Sequence, residues 1–111
     1  SRVAYSSKSI SKFAGASSAS FRDCDFNSSL FYGPCEIIFI AGNKLLLADH
    51  GNHRLRVLNQ QTSHISSVCT GRASHIDGDM ETCTLYYPFS LMVLNDTLYV
   101  GEKYRIRKVQ G

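Results

Sequence analysis

Residues 44–58 read KLLLADHGNHRLRVL. The apolar run that ends at Asp49 and the alternation of polar and apolar residues from Arg54 onward predict two antiparallel strands joined by a tight polar turn. Residues 98–109, LYVGEKYRIRKV, keep the same order of an apolar strand, an acidic residue, a polar turn and two arginines that flank an isoleucine. The two stretches indicate an internal repeat.

The repeat extends on both sides of these stretches. Equivalent positions recur at a nearly constant interval, as in the pairs Gly15 and Gly71, Pro34 and Pro88, Asp49 and Glu102, and Arg56 and Arg107. A complete repeat predicts four strands, and a four-stranded unit that recurs every ~40 to 55 residues is typical of a β-propeller blade. We therefore predict an all-β chain made of blades of four antiparallel strands, either a fragment or a two-blade protomer of a larger propeller.

Three segments of the chain carry the predicted blades. Residues 1–15 supply the last two strands of one blade, residues 34–70 a full blade, and residues 86–111 the first three strands of the next. The predicted strands are Arg2–Tyr5, Ser9–Ala14, Glu36–Ile40, Leu45–Asp49, Arg54–Asn59, His64–Cys69, Phe89–Leu94, Thr97–Glu102 and Arg105–Val109. The Ser-rich residues 16–33 predict a long connection that Phe26, Leu30 and Phe31 attach to a core.

Composition and charge restrict the function classes. The chain has 111 residues, 43% of them hydrophobic, as expected for one small globular domain. Its formal charge is +3, and the 12 lysines and arginines are spread along the sequence, so a nucleic-acid partner is disfavoured. No apolar run approaches the roughly 20 residues that a membrane span needs, and no span is expected.

Four cysteines without a Cys-x-x-Cys pair favour disulfides over zinc. Three pairings of Cys24, Cys35, Cys69 and Cys83 are open. We favour Cys24–Cys35 and Cys69–Cys83, because each pair would join a long connection to a nearby strand end. Disulfides indicate a secreted or extracellular protein.

Two Asn-x-Ser/Thr sequons indicate the same compartment. Asn27 lies in the polar connection and Asn95 in a predicted hairpin turn, both of which are surface segments. N-glycosylation is therefore expected at both asparagines.

The first copy of the repeated hairpin resembles the NHL repeat. The signature of that family is an aliphatic strand, an Asp, then Asn-His-Arg/Lys-Ile/Leu-Arg and another aliphatic residue, and here residues 47–57 read LADHGNHRLRV. Pro34 and Pro88 occupy the position of the family's proline before the innermost strand. The second copy departs from the signature, because Glu102-Lys103-Tyr104-Arg105 lacks the Asn-His pair. The resemblance implies an NHL-type propeller with one full and two partial blades.

In this family the signature builds the blade, which implies a structural role for Asp49, Asn52, His53, Arg54, Glu102 and Arg105. We expect the Asp49 carboxylate to accept turn amides while it faces the Arg54 guanidinium. We expect Asn52 to allow a left-handed turn, and Leu55 and Val57 to face a neighbouring blade. An alternative is an exposed rim that binds an acidic partner, formed by Arg54, Arg56, Arg105, Arg107 and Lys108.

The sequence contains neither a Gly-x-Ser-x-Gly elbow nor a Gly-rich phosphate loop, and no catalytic residue, metal site or cofactor is expected. The predicted function is a non-catalytic extracellular interaction or structural module. Its partner would be a protein, a glycan, or further copies of the chain that complete a propeller or form a fibre. The resemblance leaves two alternatives, part of a metal-dependent NHL-type lyase and an RNA-binding NHL propeller.

Several aromatic residues near the C-terminus are candidates for a sugar-binding surface. They are Tyr86, Tyr87, Tyr99, Tyr104 and Phe89. Aromatic residues that alternate along strands more often pack between blades, so packing is the competing interpretation.

Overall fold

The computed structural model describes residues 10–16, 18–74 and 76–109. The strands of these residues are β1 (Pro34–Ile40), β2 (Lys44–Asp49), β3 (Arg54–Asn59), β4 (His64–Val68), β5 (Ser90–Leu94), β6 (Thr97–Gly101) and β7 (Ile106–Val109). The predictions from Glu36 onward are confirmed, apart from small differences at the strand ends. The described part of the chain contains no helix with the length and hydropathy that crossing a membrane requires.

The strands form two antiparallel sheets in which each strand pairs with its neighbour in the sequence. The first sheet has the order β1-β2-β3-β4 and the second the order β5-β6-β7. The turn between β5 and β6 suits this connectivity, because Asn95 and Asp96 have φ angles of 50° and 63°, as a two-residue hairpin turn requires. The predicted architecture is confirmed: one four-stranded blade is followed by the first three strands of another.

Alternation along the strands places apolar side chains on both faces of the first sheet. One face packs against the second sheet in a core whose buried members are Leu46, Ala48, Leu55, Val68, Cys69, Cys83, Leu85, Leu91 and Val100. Val57 packs against the same core, so the predicted direction of Leu55 and Val57 is confirmed. On the opposite face, Phe26 and Phe31 of the connection pack against a smaller cluster formed by Leu47, Leu58 and Ile65.

The connections that lead into the two sheets are held by equivalent hydrogen bonds, which recur at the interval between Pro34 and Pro88. These bonds run from the N–H of Gly15 to Phe26 O (2.7 Å), Ala16 to Ser29 O (2.8 Å), Cys69 to Met80 O (2.9 Å) and Thr70 to Cys83 O (3.0 Å). Gly15 and Ala16 therefore meet the first connection in the way that Cys69 and Thr70, directly after β4, meet the second.

The predicted strand Ser9–Ala14 is wrong for residues 10–14, which form no ladder. A strand needs a neighbour for its backbone groups, and no described strand lies beside this segment. The predicted strand Arg2–Tyr5 lies outside the described residues.

One of the two favoured disulfides is present. Cys69 and Cys83 are bonded and join the end of β4 to the connection that follows it. The Cys24–Cys35 pairing is wrong, since both thiols are free. The Cys24 carbonyl accepts a hydrogen bond from Ile65 of β4, whereas Cys35 lies on β1. These strands are the opposite edges of the sheet, about 14 Å apart at ~4.8 Å per strand, which is too far for a disulfide.

Candidate functional site

Arg56 is the centre of a buried network on the first blade. Its side chain has no exposed surface, and Nη1 donates a hydrogen bond to Asp49 Oδ2 at 2.6 Å. The same guanidinium donates to the carbonyl oxygens of Leu30 and Arg22, both at 2.8 Å, and to Asp23 Oδ1 at 3.0 Å. The fork of donors therefore ties β3 to the connection that precedes β1.

The predicted partner of Asp49 is wrong, because its guanidinium partner is Arg56 rather than Arg54. Arg54 Nη2 donates instead to the carbonyl oxygen of Thr70 at 3.0 Å. The Arg54 guanidinium also lies 3.6 Å from the centre of the Phe21 ring, a cation–π contact. Arg54 thus holds the connections on either side of the blade, while Arg56 neutralises the buried acid.

The β2–β3 turn also differs in detail from the prediction. The Asp49 carboxylate accepts the backbone N–H of Tyr32 at 2.9 Å and the side-chain amide of Asn52 at 2.8 Å, so its backbone donor comes from the connection. The left-handed residue is His53, with a φ of 54°, and not Asn52. This conformation directs the chain from the turn into β3.

Arg107 repeats the network on the second blade. Its guanidinium donates to Glu102 at 3.3 Å, Thr84 O at 2.9 Å, Ile76 O at 3.1 Å and Asp77 Oδ1 at 2.6 Å. The three partners in the connection follow those of Arg56 at the interval that separates Pro34 from Pro88. This copy is more open, since the Asp77 side chain is 93% exposed.

The two connection aspartates were missed by sequence reasoning. Asp23 and Asp77 are separated by the same interval as Pro34 and Pro88. That shared interval is the signal that would have found them.

The arginines do not form the predicted rim. Arg56 is buried, Arg107 is largely covered, and Arg54 is held by the two connections. Arg105 and Lys108 are exposed. The residues of the repeated motif that make these bonds therefore act mainly within the scaffold of the blade.

The sequon asparagines lie where a glycan has room. Asn27 and Asn95 are both exposed, the first in the connection and the second in the β5–β6 turn. Their glycosylation stays a prediction.

A tyrosine–histidine cluster spans the junction between the two blades. It comprises His50 and His53 of the β2–β3 turn, Tyr86 and Tyr87 of the connection, and Lys103 and Tyr104 of the β6–β7 turn. The His53 ring lies 4.3 Å from Tyr87 and 5.8 Å from Tyr86 between ring centres. Tyr86 in turn stacks on Tyr104, with 18° between the ring planes. Three of the aromatic residues proposed for a sugar surface therefore lie together, while Tyr99 lies on β6 and Phe89 precedes β5.

Two left-handed residues shape this cluster. His53 and Tyr87 have φ angles of 54° and 50°. The backbone N–H of Tyr87 donates to His53 Nδ1 at 3.1 Å, which requires that this nitrogen carry no proton. The bond joins the turn of the first blade to the entry of the second.

Both histidines are partly removed from water. Burial, and after it the repulsion from His50, lowers the pKa of His53 below its ordinary value of 6.5. His50 Nδ1 is buried without a hydrogen-bond partner in the described part of the chain. His53 is therefore neutral at pH 7, and it contributes an aromatic surface rather than a charge.

The charge that the cluster presents to solvent is positive. Lys103 is exposed, and its Nζ lies 5.3 Å from the centre of the Tyr87 ring and 5.5 Å from that of Tyr104. The nearest acids along the chain, Asp49 and Glu102, have side chains with 0% exposure and face the arginine networks. An exposed aromatic surface beside a lysine is thus accessible from one side of the blade junction.

A cleft of about 580 Å³ lies elsewhere, beside β7, and is lined in part by Asp77, Met80 and Val109. In the first blade the equivalent space beside β3 holds β4. This cleft has the position of a fourth strand rather than that of a small-molecule site.

Among residues 10–16, 18–74 and 76–109, no three His, Cys, Asp or Glu side chains converge in a way that could hold a metal ion.

No family model matches the chain, and no curated protein does. Solved structures that resemble it include a protein of unknown function from Bacteroides thetaiotaomicron (TM-score 0.74, 23% identity) and an auxiliary nutrient binding protein from Bacteroides ovatus (TM-score 0.71, 22% identity). Each comparison covers 82% of this chain, which spans only 24% and 26% of the length of those proteins. At such identities the likeness shows the fold alone, and the resemblance to the NHL repeat stays a prediction.

Proposed function

We propose that this chain is part of an extracellular or periplasmic β-propeller that binds a carbohydrate at the tyrosine–histidine cluster and does not transform it. The observation that carries the proposal is the exposed ring surface of Tyr104, which is 69% exposed while it stacks on Tyr86. A largely exposed ring that is held by stacking on a neighbouring ring is preorganised for a flat apolar ligand surface.

The C–H faces of a pyranose ring suit such a surface. They present apolar area that an aromatic ring removes from water, while the hydroxyl groups at the ring edge require donors and acceptors. The imidazoles of His50 and His53 and the ammonium of Lys103 supply polar groups next to the rings. The structural neighbour described as a nutrient binding protein is in accord with this function at the level of the fold.

The disulfide and the sequons support this compartment. A disulfide such as Cys69–Cys83 persists in oxidising surroundings, and the two exposed sequons fit a secreted glycoprotein. Both features support a protein that meets its ligand outside the cytosol.

The experiment is a screen of the purified chain on a glycan array, followed by calorimetry with the strongest ligand and two variants. Tyr104→Ala removes a ring that would bury about 60 Å² against the sugar, which at ~25 cal/mol per Å² is about 1.5 kcal/mol, or roughly a tenfold loss of affinity. Phe39→Ala is the matched control, because Phe39 is similarly exposed at 66% but lies on β1, away from the cluster. Equal affinities of the two variants, or no glycan bound by the parent chain, would contradict the proposal.

A further inference from the structure

We propose that the ligand of the tyrosine–histidine cluster is an acidic saccharide, a chain that contains uronic acid units. This inference rests on the proposed function and names its substrate class. The charges around the cluster differ between the two sides of the turns: the acids are buried, and Lys103 is exposed.

The acids next to the cluster are directed inward. Asp49 Oδ2 pairs with Arg56 at 2.6 Å, and Glu102 pairs with Arg107 at 3.3 Å, so both carboxylates are neutralised beneath the turns. Lys103 immediately follows Glu102 but is exposed. An approaching ligand therefore meets the lysine and not the acid of the same turn.

Lys103 is held beside the rings on which a sugar would stack. Its Nζ is within about 6 Å of the centres of both Tyr87 and Tyr104, so the ammonium lies close to two π-faces. A carboxylate on a pyranose stacked at Tyr104 comes within reach of this ammonium, where a charge-assisted hydrogen bond forms. A neutral sugar offers the ammonium only hydroxyl groups, whose hydrogen bonds are weaker than the charge-assisted bond to a carboxylate.

The surroundings of the imidazoles agree with this assignment. The turn holds His50 and His53 close enough for repulsion between them to contribute to the lowered pKa of His53. The described groups from other elements that face these rings are Tyr86 and Tyr87, with Lys103 above Tyr87, and none of them is an acid. A bound carboxylate supplies the negative charge that this part of the junction lacks.

The test compares an oligogalacturonate with a neutral galacto-oligosaccharide of the same length by calorimetry at pH 7 and moderate salt. We expect the acidic ligand to bind about tenfold more tightly. We expect Lys103→Gln to remove that preference, so that the acidic and the neutral ligand bind the variant with equal affinity. Lys108→Gln is the control, because Lys108 is equally a surface lysine but lies on β7 outside the cluster. NMR titration of His53 should show its pKa raised by the acidic ligand and not by the neutral one.

Each other outcome has a distinct meaning. Equal or tighter binding of the neutral sugar overturns the acidic ligand but leaves the proposed carbohydrate function in place. Binding of neither sugar, with no hit among other glycans, overturns both. Polyaspartate that binds as tightly as oligogalacturonate would show attraction between charges alone, and this too overturns the assignment to a saccharide.

Discussion

Replacement of Arg56 by methionine should cost the first blade a large part of its stability. The change leaves the Asp49 carboxylate charged with 0% exposure, and breaking a buried pair in this way costs about 3–5 kcal/mol. Asp49 keeps the Tyr32 amide and the Asn52 side chain as donors, which places this contribution near ~3 kcal/mol. The carbonyl oxygens of Leu30 and Arg22 lose their donor as well, at ~1 kcal/mol for each bond.

Arg107→Met is the matched control, since it removes the same fork from the same place in the second blade. The Arg107 side chain is 12% exposed, and its distance to the buried Glu102 is 3.3 Å against 2.6 Å in the first blade, so this ion pair is weaker. Its other partner, Asp77, is 93% exposed, so water compensates the loss of that pair. We expect a cost of about 2 kcal/mol for this variant, against roughly 4 to 5 kcal/mol for Arg56→Met. Urea unfolding followed by circular dichroism at pH 7.5 measures both.

A double variant measures the cost of the unpaired Asp49 charge even if Arg56→Met is barely folded. Asp49→Asn removes the unpaired charge, so Asp49→Asn with Arg56→Met should be about 1–2 kcal/mol more stable than Arg56→Met alone. A cost of Arg56→Met no larger than that of Arg107→Met, or additive effects of Asp49→Asn and Arg56→Met, would refute a buried ion pair as the source of this stability.

Three further predictions concern pH, oxidation and backbone conformation. Because the pKa of His53 is lowered in the folded state, the unfolded chain binds more protons at acidic pH. The contribution of His53 to the free energy of unfolding should therefore be complete above pH 6.5 and decrease as the pH falls below that value. His53→Gln should flatten this profile in urea titrations, whereas a profile that His64→Gln flattens instead would refute it. Replacing Cys69 and Cys83 by serine opens a loop with a sequence separation of 14 and should lower the free energy of unfolding by about 3 kcal/mol. Serine at the free Cys24 and Cys35 should leave the free energy of unfolding unchanged. A thermal midpoint unaffected by reductant would argue against a stabilising disulfide. Gly71→Ala, at a φ of +81°, would place its Cβ against Arg54 Nη2. We expect it to lower the free energy of unfolding by ~1 kcal/mol more than Gly42→Ala, because Gly42 has a similar φ of +75° but its added Cβ would meet nothing within 4 Å. Equal losses for the two variants would show that Arg54 moves freely.

The strands were predictable because their signals are local. Alternation along residues 54–59 and the turn residues around Asn95 depend on neighbours in the sequence, and the structure confirms both. Because the second blade repeats the pattern of the first, the same signals predicted its strands.

The partners of the arginines were not predictable in the same way. Asp49 and Arg54 are opposite each other in the β2–β3 register, which made them the obvious pair. Arg56 reaches Asp49 diagonally because the connection brings the carbonyl oxygens of Leu30 and Arg22 over the same face. The connection lies far from Arg56 in the sequence, so the alternation of residues around Arg56 does not identify these partners.

The cysteine error has a similar origin. Cys24 and Cys35 are near each other in the sequence, but the order of strands places their surroundings at opposite edges of one sheet. The tyrosine–histidine cluster was only partly predicted, because its histidines come from one repeat and its tyrosines from the next.

The two blade junctions share one skeleton and differ in what they show to the outside. Tyr32 and Tyr86 donate their backbone N–H groups to Asp49 and Glu102 in the same way, yet the next residue is Gly33 in one junction and Tyr87 in the other. The inner arginine bonds fix the geometry regardless of that outer residue. Under the proposed function, a substitution at this outer position would change the surface that a ligand meets while the arginine bonds beneath it keep their partners.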